Sequence, residues 1–407
     1  MNVLMMTLMY PNDLMEEVSR NSKDGLQNQI NSYQRAFVEG IEANLQANES
    51  LSILNALPVG AYPMHYKKIR IKKSIYDHRI QEIGCINLPM IKQKGRERRA
   101  TKALLEWLNK NENNRTIVLY TIYLPFMQAV FAAKKTYPDL KASVIVTDLP
   151  NELGLSSGRT GLTKQLERII GKRQIALSSA FDSYVLLTEP MAEALQVQNK
   201  RRMVIEGLIT THNTEHMQEN RGEDERQSVL YAGTLNKELG IGELLSAFMQ
   251  MPQYDLLLCG RGDMADEIQK AADAYHNIYY FGFVSQEEAL RLQARATLLI
   301  NPRSPEGAFT RYSFPSKTLE YMRSGKPILC YQLEGIPSDY DDYLYYINQI
   351  GTEGIIQAVQ ETMALPLEDL ALRGELARAY VLSEKNPTVQ CRKMVQMLRD
   401  MHQDDML

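Results

Sequence analysis

The most informative stretch of this chain is Phe314-Pro-Ser-Lys-Thr-Leu-Glu-Tyr-Met-Arg-Ser-Gly-Lys-Pro327, which the apolar run Ile328-Leu-Cys-Tyr331 follows. Pro315 suits the first turn of a helix, Ser316 can cap free N–H groups, and Gly325 is a common C-terminal stop. The stretch therefore predicts a helix that is closed by glycine and leads into a buried strand.

The start of this predicted helix has the features of an anion site. Free N–H groups and the helix dipole favour a negative charge at a helix N-terminus. Lys317 adds a mobile positive charge in the first turn, and Glu320 lies one turn further on. A carboxylate there can accept two hydroxyl hydrogen bonds, as a ribose would offer. A helix start that can bind phosphate, a cation and a carboxylate that can bind a diol together indicate a nucleotide-sugar site.

The remainder of the C-terminal half alternates between strands and helices. The predicted strands are Val229–Asn236, Tyr254–Asp263, Ile278–Val284 and Thr297–Pro302. Strands and helices that alternate at this spacing indicate a parallel, doubly wound sheet with ligands at the carboxyl ends of the strands. Gly260-Arg-Gly262 lacks the third glycine of a dinucleotide fingerprint, which disfavours a dehydrogenase.

The stretch around Glu320 resembles the donor-binding signature of the large fourth family of retaining glycosyltransferases. In that family two glutamates eight residues apart precede a turn of a small residue, Gly and Pro. Glu320 matches the second glutamate, whereas Tyr312 stands at the first. The local variant looks like that of bacterial polysaccharide-assembly transferases. The resemblance implies an α/β fold of the GT-B class, with two doubly wound Rossmann-like domains facing a cleft.

The resemblance also implies which residues bind the donor. Family members usually carry an Arg and a Lys on the diphosphate, where this chain has Thr234 and Leu239. Lys317 is the best substitute cation and the predicted catalytic group for the leaving diphosphate. Further candidate cations are Arg303, Arg311, Lys237 and Arg261. The remaining predicted donor-binding residues are Gly25, Gly233, Thr234, Val284, Tyr312, Ser313, Phe314, Pro315, Ser316 and Glu320.

Two N-terminal residues are also candidates by resemblance. Gly25 matches a loop glycine that approaches the donor diphosphate, although an ordinary turn glycine is the alternative. Asp148 follows the buried strand that begins at Ala142, at a point where family members often place a His. Asp148 is the second predicted catalytic residue. It could hold the acceptor hydroxyl or the donor sugar, or cap the next helix.

The predicted domains are an acceptor-binding domain over 1–205, a nucleotide-sugar-binding domain over 206–387, and a helix over 388–407 that crosses back to the first domain. The 407 residues have a net charge of −3. Residues 1–205 hold 28 Lys and Arg against 19 Asp and Glu, a net of +9, which leaves −12 for the remainder.

The basic excess of the first domain lies mainly in Lys67–Lys73 and Gly95–Lys102. Basic residues beside apolar ones suit an anionic membrane surface or a lipid-diphosphate acceptor. For the helix after Gly95, however, a core-facing apolar side is favoured, with Ala100, Ala103, Leu104, Trp107 and Leu108 on one face. Nucleic acid is disfavoured, because no aromatic residues are interleaved with these cations.

The sequence favours a cytoplasmic protein, with contact to the inner face of the cell membrane as a further expectation. Met1–Tyr10 lacks the basic start of a signal peptide and is interpreted as a buried strand. The uncharged run Thr116–Ala133 is interpreted as strand, turn and helix rather than a membrane span. The four cysteines show no disulfide or metal spacing, which indicates a reducing compartment.

The predicted function is transfer of a sugar, with retention, from a nucleoside diphosphate sugar, and a UDP-linked donor is favoured. The acceptor would be a glycan or a polyprenyl-diphosphate-linked molecule in bacterial surface polysaccharide synthesis. No metal or other cofactor is expected, since cations and helix dipoles can meet the diphosphate charge. Two alternatives stay open: a catalytically inactive GT-B partner subunit, and a GT-B-fold sugar-nucleotide epimerase.

Overall fold

The computed structural model describes residues 1–23, 26, 28–150, 162–209, 226–307 and 310–403. The chain divides into two compact units. The first consists of Met1–Leu208 together with Pro387–Leu407, and the second of Ile209–Asn386.

The first unit is built on a sheet of eight described strands. The strands of this unit are β1 (Asn2–Thr7), β2 (Ser50–Asn55), β3 (Arg70–Ile71), β4 (Ser74–Tyr76), β5 (Ile80–Glu82), β6 (Cys85–Ile86), β7 (Arg115–Tyr120), β8 (Lys141–Val146), β9 (Ser183–Leu186) and β10 (Arg201–Val204). The sheet order is β10-β9-β8-β7-β1-β2-β5-β4, and only β4 runs antiparallel to its neighbour. The short strands β3 and β6 form a separate antiparallel pair.

Helices accompany this sheet, and the residues of its central strands are mostly apolar. The helices are α1 (Met15–Asn21), α2 (Asn28–Glu42), α3 (Ile91–Lys110), α4 (Leu124–Thr136), α5 (Leu162–Ser178) and α6 (Met191–Ala194). Nearly every residue of β1, β7 and β8 is buried, as expected for parallel strands packed on both faces. The strand and helix predicted within Thr116–Ala133 are confirmed as β7 and α4. No helix among the described residues is long and apolar enough to cross a membrane.

The second unit has a six-stranded sheet in which all neighbouring strands are parallel. Its strands are β11 (Ser228–Thr234), β12 (Asp255–Arg261), β13 (Ile278–Tyr280), β14 (Leu298–Asn301), β15 (Ile328–Tyr331) and β16 (Tyr345–Ile347). The order is β13-β12-β11-β14-β15-β16, which is the doubly wound order 3-2-1-4-5-6. The direction of winding therefore reverses between β11 and β14, where such sheets open a ligand crevice.

The helices of the second unit pack on both faces of this sheet around one apolar core. They are α7 (Ile241–Met249), α8 (Ala265–Ala274), α9 (Gln286–Arg295), α10 (Ser316–Arg323), α11 (Thr352–Met363) and α12 (Leu367–Glu384). The last helix, α13 (Pro387–Gln403), belongs to the first unit and packs against α2. A side chain at Gly40 of α2 would meet the carbonyl of Pro387 at 2.4 Å, so glycine permits this close approach.

Helix α3 confirms one expectation and corrects another. Its apolar side faces the core, with Ala100, Ala103, Leu104 and Leu108 buried and Trp107 half-buried. Arg96, however, is only 3% exposed and is not part of a basic surface. Arg96 donates to the hydroxyl of Tyr123 at 3.0 Å and to the carbonyl of Leu57, and these acceptors explain why a guanidinium can be buried here.

A second buried cation, Lys92, precedes Arg96 by one turn of α3. Its ammonium donates to the carbonyl of Val59, and burial lowers the pKa of Lys92 to about 8. The nearby carboxylate of Glu82 accepts hydrogen bonds from Asn55 Nδ2 and from the backbone N–H groups of Leu57 and Gly84, each at 2.9 Å. Burial nevertheless raises the pKa of Glu82 to about 7. These polar groups connect α3 with the segment that follows β2.

Candidate functional site

The carboxyl end of β11 lies at the point where the winding reverses, and it is formed by Gly233 and Thr234. A side-chain carbon on Gly233 would lie 2.8 Å from Cε of Lys317 and 3.2 Å from the hydroxyl oxygen of Tyr231. One on Gly260 would lie 1.7 Å from the carbonyl oxygen of Gly233. Glycine at both positions therefore lets backbone and Lys317 approach one another closely, as a phosphate-binding turn requires.

Helix α10 begins beside this turn, but its N-terminus differs in detail from the prediction. Pro315 occupies the N-cap position and Ser316 is the first helical residue, so the predicted capping role of Ser316 is wrong. Proline offers no side-chain acceptor, so the N-cap residue makes no side-chain hydrogen bond to the first turn. The N-cap residue therefore places no side-chain oxygen in competition with an anion at the positive end of the helix dipole.

Lys317 and Glu320 lie together on one face of α10. The ammonium of Lys317 is 3.5 Å from Oε2 of Glu320 and 5.6 Å from the centre of the Tyr321 ring. Both side chains remain partly exposed. A mobile ammonium and a solvent-accessible carboxylate, one turn apart, match the predicted groups for a diphosphate and a ribose.

Two residues that sequence reasoning missed hold this helix face in place. Gln293 of α9 is 1% exposed and donates from Nε2 to Oε1 of Glu320 at 3.4 Å. The buried hydroxyl of Tyr321 accepts from the N–H of Ala232 at 2.9 Å, which fastens α10 to β11. The only sequence signal for Gln293 is a polar residue between the apolar Leu292 and Ala294, and such a signal does not identify a partner.

Arg303 supplies a second cation near the same turn. Its guanidinium donates to Oγ of Ser313, another predicted site residue, and lies near Tyr231. Burial lowers the pKa of Arg303 to about 10, so the guanidinium is still protonated at neutral pH. The turn formed by Gly233 and Thr234 is thus accompanied by two positive side chains, Lys317 and Arg303.

Arg261 lies close to this turn because it is on the neighbouring strand, β12. It pairs in register with Thr234, and its guanidinium carbon lies 3.8 Å from the centre of the Phe283 ring, next to the partly buried Val284. Phe283 is an exposed aromatic residue that the sequence analysis did not single out.

Three other predicted donor residues, Arg311, Tyr312 and Phe314, have contacts with residues outside this turn. Arg311 donates to Oε1 of Glu334 at 3.0 Å, and its guanidinium lies 5.7 Å from the ring centre of Tyr312. The ring of Phe314 is buried in the core, 5.5 Å from that of Tyr340. Gly25 lies outside the described residues, so its predicted role stays a prediction.

In the first unit, Asp148 borders a cavity of about 280 Å³ at the carboxyl ends of β7 and β8. Thr121, Tyr123, Glu167 and Gln174 also line it. Thr147 Oγ1 lies 3.2 Å from Oδ2 of Asp148 and 3.3 Å from the hydroxyl of Thr121, whose backbone has a left-handed φ of 58°. Carboxylates and hydroxyls around a cavity of this size can hydrogen-bond the hydroxyl groups of a sugar.

Comparison with known proteins agrees with this geometry. Residues 212–347 match the protein family described as Glycosyl transferases group 1. The chain carries a domain similar to those of glycosyl transferases group 1. The match ends with β16 and includes the turn at Gly233, Arg303 and all of α10. No curated protein shows a significant sequence match.

Solved structures resemble the whole chain at low identity. Sucrose-phosphate synthase from Thermosynechococcus elongatus has 15% identity over 99% of both chains and a TM-score of 0.63. An alpha,alpha-trehalose-phosphate synthase (UDP-forming) from Burkholderia xenovorans, in complex with glucose-6-phosphate, has 11% identity over 98% of this chain and 99% of that chain, with a TM-score of 0.62. The lipopolysaccharide outer core galactosyltransferase WaaB has 10% identity over 100% of both chains and a TM-score of 0.59. These similarities show the fold, and the predicted GT-B class is confirmed.

Proposed function

We propose that this protein is a retaining glycosyltransferase that uses a nucleoside diphosphate sugar, preferentially UDP-linked. The acceptor is a glycan or a polyprenyl-diphosphate-linked molecule in bacterial surface polysaccharide synthesis. The family match over 212–347 and the fold shared with a lipopolysaccharide galactosyltransferase support this proposal. The observation that carries it is the grouping of Gly233, Lys317 and Glu320 where the winding of the second sheet reverses.

In the proposed reaction, Glu320 has one task, and the cations and the first turn of α10 have another. Glu320 accepts hydrogen bonds from the ribose hydroxyls while Gln293 fixes the orientation of its carboxylate. The first turn of α10, Lys317 and Arg303 meet the charge of the diphosphate. As the bond between the sugar and the diphosphate breaks, negative charge grows on the leaving oxygen, and these groups stabilise it. We propose that they do so without a metal ion, so added chelator should leave the transfer rate unchanged.

The first unit is proposed to bind the acceptor at the cavity beside Asp148. The carboxylate of Asp148 accepts a hydrogen bond from the acceptor hydroxyl and orients that hydroxyl for attack. Retention would then proceed without a covalent enzyme intermediate. An NMR analysis of the product should show the anomeric configuration of the donor, whereas an inverted product would contradict retention but not sugar transfer.

Replacing Glu320 with Ala should weaken nucleoside diphosphate binding by about 1.5–3 kcal/mol, the range for hydrogen bonds to a charged group. Isothermal calorimetry with UDP and GDP measures this change directly. Glu361→Ala is the matched control, because Glu361 is an exposed carboxylate of α11 in the same unit that accepts a hydrogen bond from Gln357. Equal affinities of the Glu320 variant and the parent protein, with the fold intact, would remove Glu320 from the ribose site.

The inactive-partner alternative rests on Thr234, Leu239 and Tyr312, which stand where the resembling family usually carries charged residues. Arg303 and Lys317 supply positive charge near the same turn, which favours an active enzyme. Donor consumption separates the alternatives. A transferase consumes the donor only when acceptor is present, an epimerase converts it without acceptor, and an inactive partner never consumes it.

A further inference from the structure

Several large apolar side chains are exposed between residue 61 and the start of α3 in the first unit. Met90 is 93% exposed and Met64 is 71% exposed, and Ile69, Ile86 and Ile91 are each close to half exposed. Single exposed apolar residues are common on soluble proteins, whereas a group of them indicates an interaction surface. Met90 also has a left-handed φ of 66°, which a side chain such as Asn tolerates better than Met.

Backbone pairing and hydrogen bonds join the segments that carry these side chains. In the pair formed by β3 and β6, Ile71 lies opposite Cys85 and both are buried, so alternation turns the neighbouring Arg70 and Ile86 outward. The next residue after Ile86, Asn87, is fully buried and holds the flanking segments. Its N–H donates to the carbonyl of Ile69 at 2.7 Å.

The side chain of Asn87 completes this arrangement. Its Nδ2 donates to the carbonyls of Gly60 at 2.9 Å and Lys68 at 3.2 Å, and the backbone carbonyl of Asn87 accepts from the N–H of Tyr62 at 2.8 Å. The turn that carries Met64 and the segment that leads to Met90 are therefore both tied to the small β3–β6 sheet.

Positive charge surrounds these apolar side chains. Residues 61–98 contain ten Lys and Arg against three Asp and Glu, a net charge of +7. Two of the cations, Lys92 and Arg96, are buried, as is the acidic Glu82. The exposed cations of the segment between β2 and β4 are Lys67, Lys68, Arg70, Lys72 and Lys73. Of these, Lys68 forms an ion pair with Glu17 at 2.7 Å, which leaves the surface strongly positive.

We propose that this surface docks the protein on an anionic lipid bilayer. We call it the docking surface, and it comprises Met64, Ile69, Ile86, Met90 and Ile91 with the cations Lys67, Lys68, Arg70, Lys72 and Lys73. The methionine and isoleucine side chains enter the boundary between headgroups and acyl chains, and the cations meet lipid phosphates. The inference deepens the proposed function, from which it takes only the polyprenyl-diphosphate-linked acceptor, a molecule that resides in a bacterial membrane.

Flotation of the full chain with vesicles tests this proposal. Vesicles of equal parts phosphatidylglycerol and phosphatidylcholine should bind the protein, and pure phosphatidylcholine should not. The triple variant Arg70→Gln, Lys72→Gln, Lys73→Gln should lower the partition coefficient about a hundredfold, because each cation near such a surface contributes about fivefold. Binding should also disappear at about 1 M salt, where the screening length is about 3 Å.

The apolar part of the docking surface is tested by the triple variant Met64→Asn, Ile69→Asn, Met90→Asn, which should lower partitioning at least tenfold. Matched controls are Lys110→Gln with Lys270→Gln for charge and Leu372→Asn for an exposed apolar residue of the second unit. The partition coefficients of the control variants should stay within twofold of that of the parent protein. Equal binding to both kinds of vesicle, unchanged binding by both triple variants, or tighter binding to duplex RNA at the same salt would overturn the proposal.

Calorimetry with UDP on the same samples separates this proposal from the proposed function. If the variants bind UDP as the parent protein does, any loss of flotation is due to the docking surface. If the parent protein floats but binds neither UDP nor GDP, the docking surface stands and the transferase proposal fails.

Discussion

Replacing Lys317 with Met should lower the turnover number of the enzyme by about 10²–10³-fold while donor affinity changes much less. Removing one preorganised donor to a developing negative charge has an effect of this size, about 3–4 kcal/mol. The ammonium of Lys317 lies across the turn at Gly233, and its other near neighbour is the partly exposed carboxylate of Glu320. Its charge is therefore available to a leaving diphosphate, and methionine keeps its approximate length without the charge.

Steady-state kinetics with saturating acceptor gives the turnover number, and calorimetry with the nucleoside diphosphate gives the affinity. Lys270→Met is the matched control, since Lys270 is an exposed lysine of α8 in the same unit. A turnover number equal to that of the parent protein would show that another cation neutralises the leaving group. Arg303 would then be the residue to replace next, because Arg311 is engaged by Glu334.

The parts of the fold that follow from local periodicity were predictable from sequence. The strand predicted at Ile328–Tyr331 is β15 with the same bounds, and the helix predicted over 388–407 corresponds to α13. The strands that were not predicted include β2 and β16. β16 has only three residues, which is too short for a periodic signal, and pairing of Tyr345 with Leu329 of β15 fixes its place in the sheet.

Some contacts of the candidate site could likewise be predicted from sequence, and others could not. Lys317 and Glu320 are three residues apart on one helix, so their proximity could be predicted from spacing alone. The contact of Glu320 with Gln293 spans 27 residues and depends on how α9 and α10 pack against the sheet. Arg303 was predicted as a candidate cation, but its burial beside Ser313 and Tyr231 depends on the path of a loop.

Charge counting was least reliable where side chains enter the core. It treats each Lys and Arg as exposed, which holds for most such residues. Arg96 and Lys92 are exceptions, because carbonyl groups of the segment after β2 accept their hydrogen bonds. The exposed basic surface is consequently formed by Lys67–Lys73 and its neighbours rather than by the whole of α3.

Replacing Arg96 with Met should destabilise the first unit by about 3–5 kcal/mol, the range for removing one partner from a buried charged group. The substitution leaves the carbonyl of Leu57 and the hydroxyl of Tyr123 without this donor, and it takes a positive charge away from the buried Glu82. Trp107 is the single tryptophan of the chain and lies on α3, so its fluorescence during urea unfolding reports on this unit.

Arg98→Met is the matched control, since Arg98 is an exposed residue of the same helix and should change the unfolding free energy by no more than about 0.5 kcal/mol. Equal urea midpoints for the two variants would contradict a structural role for Arg96. The same pair of variants distinguishes folding from membrane docking. If Arg96→Met lowers vesicle flotation only under conditions where the Trp107 signal shows unfolding, the loss reflects a damaged core and not a missing lipid contact.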